Sequence, residues 1–442
     1  MFRYYLGLGL HSLRRNPALT ALMIMLIGAG VASSMITFAA LRAITADPLP
    51  AKSAQLFVPQ IDNFGPVHGT PDGEPPLMLS YIDTMALLRA HRAEREAALY
   101  PVSFSLVPAD VTHAPFTVQG YAVTGDTFAM FGVPFLYGGD WSKKDDTEGS
   151  NALVISRRLN EKLFDGTDSI GRAVRLDDHD YRVIGVANDW NPQPRFYANA
   201  DIHDVSEVGE APDFFLPFTR AVNQQMTSRW GNFCPADDYS KDSDWQAMLQ
   251  TECVWISFWV QLPTTGAVQR YREFLNGYAV EQQRVGRFHW APNNRLHNLL
   301  PWLDYVHAVP EETHVSFLLA MGLQLVCLVN TIGLLLAKFM RRRVEIGVRR
   351  ALGASRRAIY VQFLTEAGMI GVAGGALGLL LTILGVSGMG SFFEPRVARL
   401  AHVDVSLLGL TLLTAIVATV IAALYPTWRS AQVQPAWQLK AN

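Results

Sequence analysis

The sequence predicts an integral membrane α-helical protein: four transmembrane helices, with a large extracytoplasmic α+β domain inserted between helices 1 and 2. Three observations carry this: four long charge-free apolar segments, a lopsided distribution of basic residues around them, and strand-and-turn patterning between the first two. Half of the 442 residues are hydrophobic and only 17% are charged, a balance that excludes a disordered chain. A formal net charge of −2 argues against a basic nucleic-acid binder. Three cysteines are too few for a disulfide-built scaffold.

The first segment lies between Arg15 and Arg42, 26 residues without a charge, and predicts helix 1 over 17–42 after a short N-terminal segment, 1–16. Val315 to Ala337 gives 23 more and helix 2 over 315–337. Ala367 to Phe393 gives 27, predicting helix 3 over 361–390, and Val405 to Trp428 gives 24, predicting helix 4 over 405–427. A hydrocarbon core of ~30 Å needs about 20 helical residues, so each segment is long enough to cross. The first also invites reading as a signal peptide, but its apolar run exceeds the usual 7–15 residues or so.

Charge sets the orientation. Segment 1–16, the loop 338–360 and the tail 428–442 together carry thirteen basic residues and one acid, Glu345. The remaining 24 basic residues face 37 acids on the other side, with Glu366 at a helix entrance. The excess of Lys and Arg in short loops marks the cytoplasmic side. Both termini are therefore expected inside, with the region 43–314 and the short loop 391–404 outside.

Region 43–314 reads as a folded domain. Ala152-Leu153-Val154-Ile155 is a compact apolar run, followed by a helical stretch from Arg157 to Phe164 that ends at Asp165-Gly166. Val174 to Leu176 and Tyr181 to Val186 alternate like half-buried strands around a turn at Asp177-Asp178-His179. Val254 to Val260 is a further strand. Between them, about 190–252 is rich in Asp, Asn, Pro and Gly and reads as an inserted subdomain. Cys234 and Cys253 bracket its end. An oxidising compartment would permit a disulfide there; the alternative is two unrelated buried thiols. Cys327, inside helix 2, reads as a small packing residue.

The chain carries no recognisable catalytic chemistry, cofactor or metal motif. A phosphate-cradling Gly-x-x-x-x-Gly-Lys-Ser/Thr loop and a His-Glu-x-x-His pair are both absent, as is a Gly-x-Ser-x-Gly nucleophile. The acidic clusters Lys143-Lys144-Asp145-Asp146 and Asp177-Asp178 read as solvated loops rather than ion sites.

The loop 338–360 is the most informative stretch. From Arg343 to Gly353 a helical wheel places Val344, Gly347, Val348, Ala351 and Leu352 on one face, and Glu345, Arg349 and Arg350 on the other. Such a helix suits the inner membrane surface and its anionic lipids. Gly353 is placed to end it and Ser355 to cap the next helix. Ile346 breaks the pattern, reading as an exposed docking residue for a cytoplasmic partner or as one misplaced apolar residue on a basic anchor. Helix 3 is glycine-rich. Gly371, Gly374, Gly375 and Gly378 permit close helix approach, either between subunits or within the chain. Glu366 is either an interfacial carboxylate near the basic loop or part of a coupling apparatus.

Arg343-Val344-Glu345-Ile346-Gly347-Val348-Arg349-Arg350-Ala351-Leu352-Gly353-Ala354-Ser355, followed by Gln362 to Ala367, resembles the signature of MacB/FtsX-type permeases of ABC transporters. The tail Tyr425 to Ala431 with Pro435 is similar to that family's C-terminal motif. Phe131 to Pro134, Gly138 to Asp140, Leu153 to Phe164 and Tyr181 to Asn188 resemble its periplasmic core domain. The likeness is weakest across 190–252.

The resemblance implies a permease subunit in the inner membrane that pairs with a second permease subunit, a homodimer or heterodimer, above a dimer of cytoplasmic ATPase subunits. ATP and magnesium would be bound by that ATPase and not by this chain, which begins at the membrane and so implies a separate ATPase polypeptide. Closure of the ATPases would be transmitted to the outer domains, a process called mechanotransmission. The coupling surface would be Arg343, Glu345, Ile346, Arg349, Arg350, Gly353, Ala354 and Ser355. A periplasmic adaptor and an outer-membrane channel are the implied further partners. Efflux of an antibiotic, peptide or other hydrophobic cargo is the leading expectation; lipoprotein release and a membrane-anchored sensor are the alternatives.

Overall fold

Apolar residues at every fourth position build the first helix, α1 (Pro17–Thr45). Met23, Ile27, Val31, Met35 and Ala39 are all buried, a single ridge of the kind that seats in a facing groove. The structure, a computed structural model, describes residues 16–68, 73–107, 114–197, 211–235, 238, 244–308, 311–392 and 405–431. Most of segment 1–16, most of the loop 391–404 and the tail residue Pro435 lie outside the described residues. The chain divides into two units, Ala46–Val309 and the combination of Met1–Thr45 with Pro310–Asn442.

The first of these is built on an 11-stranded sheet. Its strands are β1 (Leu56–Gln60), β2 (Leu79–Ser80), β3 (Arg95–Val107), β4 (Phe116–Val123), β5 (Phe135–Gly138), β6 (Ala152–Ser156), β7 (Ala173–Leu176), β8 (His179–Ala187), β9 (Phe214–Pro217), β10 (Val254–Gln261) and β11 (Arg295–Asn298). The main order is β11-β1-β10-β3-β4-β9-β6-β8-β5, with β2 on β10 and β7 on β3 and β8. Among the described residues, only β4–β9 and β6–β8 pair in parallel. The longer helices are α2 (Tyr81–Ala90), α3 (Asp126–Phe131), α4 (Lys143–Glu148), α5 (Arg157–Phe164), α6 (Phe218–Asn223), α7 (Thr265–Arg284) and α8 (Leu299–Tyr305).

Strand periodicity separates two cores. Ala98, Tyr100, Val102, Phe104 and Leu106 of β3 join Leu153 and Ile155 of β6 in one. Ala97 and Leu99 join Ala152 and Val154 in the other, because successive side chains point to opposite faces. The second core is strongly aromatic: Phe131, Phe196 and Trp259 meet edge to face.

Two expectations need correction. The 190–252 stretch is not simply an insertion, since β9 lies between β4 and β6 with all four residues buried. A strand covered on both faces shows no alternation, so four apolar residues in a polar stretch carry no visible period. The Lys143–Asp146 cluster is not a loop. It opens α4, with a capping box on Ser142 and Asp145, and the Asp146 carboxylate accepts from the Gly125 N–H at 2.9 Å and Trp141 Nε1 at 3.3 Å. Asp177 does sit in the β7–β8 turn, at φ 49°.

Cys234 and Cys253 are bonded, just before β10. Beside them, Arg287 forks onto Asp83 at 2.6 and 2.9 Å and onto Glu252 at 2.6 and 2.7 Å. Tyr278 donates its hydroxyl to Asp83 at 2.7 Å, and burial pushes the Tyr278 phenol up.

In the second unit α1 is joined by α9 (Glu311–Met340), the short α10 (Arg343–Ala351), α11 (Arg356–Phe392) and α12 (Val405–Ala431). Among the described residues four helices, α1, α9, α11 and α12, are long and apolar enough to cross a membrane. The glycines of α11 form two notched rows within the chain. A Cβ on Gly371 or Gly375 would meet Thr419 at 3.1 Å or Leu412 at 2.9 Å, both on α12. One on Gly374 or Gly378 would meet Ile27 at 2.8 Å or the Gly28 carbonyl at 3.4 Å, both on α1. This is the intramolecular reading of the glycine stripe. Cys327 is buried against Gly30.

Candidate functional site

The residues singled out by sequence converge on α10 and the turns around it. Glu345 and Arg349 are one helical turn apart and pair at 2.7 Å, a favourable order for an exposed ion pair. Arg349 also donates to Gln362 Oε1 of α11 at 3.0 Å. The helix stops in a Schellman motif: the Gly353 N–H bonds the Arg350 carbonyl at 3.1 Å and the Ala354 N–H the Arg349 carbonyl at 3.0 Å. Gly353 takes φ +98°, where a side chain would be strained. Ser355 then caps α11, its Oγ accepting from the Ala358 N–H at 3.2 Å. Arg350 is half-buried, and the Arg343 side chain lies outside the described residues.

The structure inverts the expected role of Ile346. It is 4% exposed and belongs to the core with Phe339, Ile359 and Phe363. A helical wheel separates two faces but does not say which one the protein covers. Here α11 covers the side bearing Ile346. The opposite stripe, Val344, Val348 and Leu352, stands open, with Val348 50% and Leu352 83% exposed. Arg342, Glu345, Ile346, Arg349, Ile359, Gln362 and Phe363 line a shallow cleft between α10 and α11.

A second feature escaped the sequence reading. Lys338, counted there as a loop cation, is buried at the end of α9 with its Nζ 2.7 Å from Glu366 Oε1. Arg342 Nη1 lies 3.1 Å from Glu366 Oε2. Of the two readings of Glu366, the interfacial carboxylate beside the basic loop fits this contact set, although it is enclosed rather than exposed. The available signal was positional: Lys338 closes one charge-free segment and Glu366 opens the next. No group of three or more His, Cys, Asp or Glu placed to hold a metal occurs among the described residues.

Residues 20–270 match the MacB-like periplasmic core domain family, and residues 317–435 match the FtsX-like permease C-terminal family. The macrolide export ATP-binding/permease protein MacB of Salmonella typhimurium is 22% identical over 275 residues, covering 60% of this chain and 35% of MacB. The pyoverdine export ATP-binding/permease protein PvdT of Pseudomonas syringae pv. tomato is 25% identical over 308 residues, 70% of this chain and 40% of PvdT. The ABC transporter permease YvrN of Bacillus subtilis is 22% identical, over 67% of this chain and 64% of YvrN. The chain thus spans about a third of MacB and under two thirds of YvrN. Among solved structures, the periplasmic region of MacB from Actinobacillus actinomycetemcomitans aligns over 60% of this chain with 12% identity and a TM-score of 0.38.

Proposed function

The chain belongs to the MacB/FtsX-type family of ABC transporter permeases, and on that premise we propose that α10 is the element on which a cytoplasmic ATPase acts. The observation that carries the reading is the exposed Val344, Val348 and Leu352 stripe on a helix whose other face is locked to α11. An apolar stripe rimmed by arginines suits a protein partner at a membrane surface. The Arg349–Gln362 bond and the buried Ile346 make α10 move with α11, as a lever needs.

In this reading the four long helices cross the inner membrane, both termini are cytoplasmic, and the sheet domain stands outside. ATP and magnesium are held by the ATPase dimer, and this chain pairs with a second permease subunit. Force applied at α10 travels along the helices to the sheet domain, which acts on cargo with an adaptor. Export of a hydrophobic or peptidic compound is the cargo class we favour, on the likeness to MacB and PvdT. A photocrosslinker in place of Val348 tests the docking claim: it should capture a protein bearing a phosphate-cradling ATPase motif. Labelling only lipid would contradict it. For cargo, deletion that leaves susceptibility to antibiotics and secretion of peptides unchanged would count against export.

A further inference from the structure

The inference rests on the reading of α10 as the docking element and concerns side chains which that reading leaves unused. Glu366 is enclosed by protein, and each of its oxygens holds a different cation: Oε1 the Lys338 ammonium at 2.7 Å, Oε2 the Arg342 guanidinium at 3.1 Å. Lys338 sits in the last turn of α9, and its Nζ also lies 3.4 Å from Thr20 Oγ1 of α1. Arg342 is the residue from which α10 starts. One carboxylate of α11 therefore ties down the end of α9, the root of α10 and, through Lys338, α1.

Buried ion pairs gain little net stability over well-packed apolar residues, but removing one partner is costly because the other charge is left unpaired. Their best-supported use is to fix one arrangement among several. The tie at Glu366 has a counterpart. Further along α10, Arg349 is bound to Gln362, one turn before Glu366 on the same helix. The two ties hold α10 at its root and toward its far end, and Ile346 fills the space between.

We infer that Glu366 is the positioning residue through which a displacement of α10 reaches α9 and α11 together. With Glu366 neutral, α10 stays on α11 through Arg349 and Ile346 but loses its fixed relation to α9. Docking then survives while the joint movement of the two helices is lost.

The test uses the full chain in lipid nanodiscs. Glu366→Gln removes the charge and keeps the shape, and Arg342→Gln removes a less enclosed partner should the first variant fail to fold. Amide hydrogen exchange across 338–351 is the readout that needs no ATPase. Both variants should speed it by roughly ten-fold, with α12 unchanged. Unchanged exchange in both variants would overturn the inference.

With the captured ATPase present, Glu366→Gln should retain capture and ATP hydrolysis. It should also lose about ten-fold in the ATP-dependent change of exchange over residues 46–308. Capture with full response in both variants refutes the role of Glu366 and leaves α10 docking intact. A wild-type chain that captures no ATPase, while the variants still loosen 338–351, refutes the docking reading and leaves the tie at Glu366 standing.

Discussion

Ile346 and Val348 are two residues apart on one helix and face opposite surroundings: Ile346 is 4% exposed in the core with Phe363, and Val348 is 50% exposed. The pair therefore separates stability from docking. Ile346→Ala should cost about 2–4 kcal/mol through lost burial and the cavity it leaves, read as a lowered unfolding temperature in detergent. Val348→Asp should change stability by less than about 0.5 kcal/mol yet abolish capture of the ATPase. Equal effects of both on stability would contradict the assigned faces.

The glycine rows of α11 predict a contrast between neighbours. A Cβ at Gly374 would sit 2.8 Å from Ile27 Cγ2, whereas one at Gly368 meets nothing within 4 Å. Gly374→Ala should therefore destabilise by about 1–3 kcal/mol through overpacking. Gly368→Ala should be neutral or stabilising by up to about 1 kcal/mol, from reduced backbone entropy in the unfolded chain. Thermal unfolding of both variants in one detergent decides it.

Glu96 gives the sheet domain a pH dependence. Burial pushes its carboxyl up to about 7, only partly opposed by the backbone N–H groups of Ala93 and Arg92, with Asp126 raising it further. His91 Nδ1 stands 3.8 Å away. Between the ordinary value of 4.5 and about 7, the folded state keeps a proton that the unfolded chain has lost. Stability from this group is full below that window and falls as pH rises through it, by at most about 3 kcal/mol. Glu96→Gln should flatten the pH profile of unfolding and stabilise the protein at pH 8. A profile identical to wild type would contradict this.

Arg287 neutralises Asp83 and Glu252 together, at 2.6 Å from each. Arg287→Met should cost about 3–5 kcal/mol, because two carboxylates are left without their cation. Denaturant unfolding of the variant beside wild type is the measurement; unchanged stability would refute the assignment.

What was legible in the sequence divides along physical lines. The four apolar helices could be read because length without charge needs no knowledge of packing. The strand at 152–156 and helix at 157–164 showed because local period and the Asp165-Gly166 stop are local properties. Gly353 and Ser355 were found for the same reason. The strand Phe214–Pro217 was hidden because burial on both faces erases alternation. Ile346 is placed on the right face but expected in the open, because the wheel of α10 holds no trace of α11. The Lys338–Glu366 contact joins two segments that each look like a helix end in isolation, and only the meeting of the end of α9 with the start of α11 reveals it.

The central claim is that the open stripe of α10 receives an ATPase. The most direct measurement is a tagged purification of the full chain from native membranes in mild detergent, alongside Val348→Asp and Leu352→Asp, with co-purifying proteins identified by mass spectrometry. The account predicts an ABC ATPase with wild type that disappears in both variants while the chain stays folded. An ATPase retained in both variants, or none with wild type across several mild detergents, would contradict it.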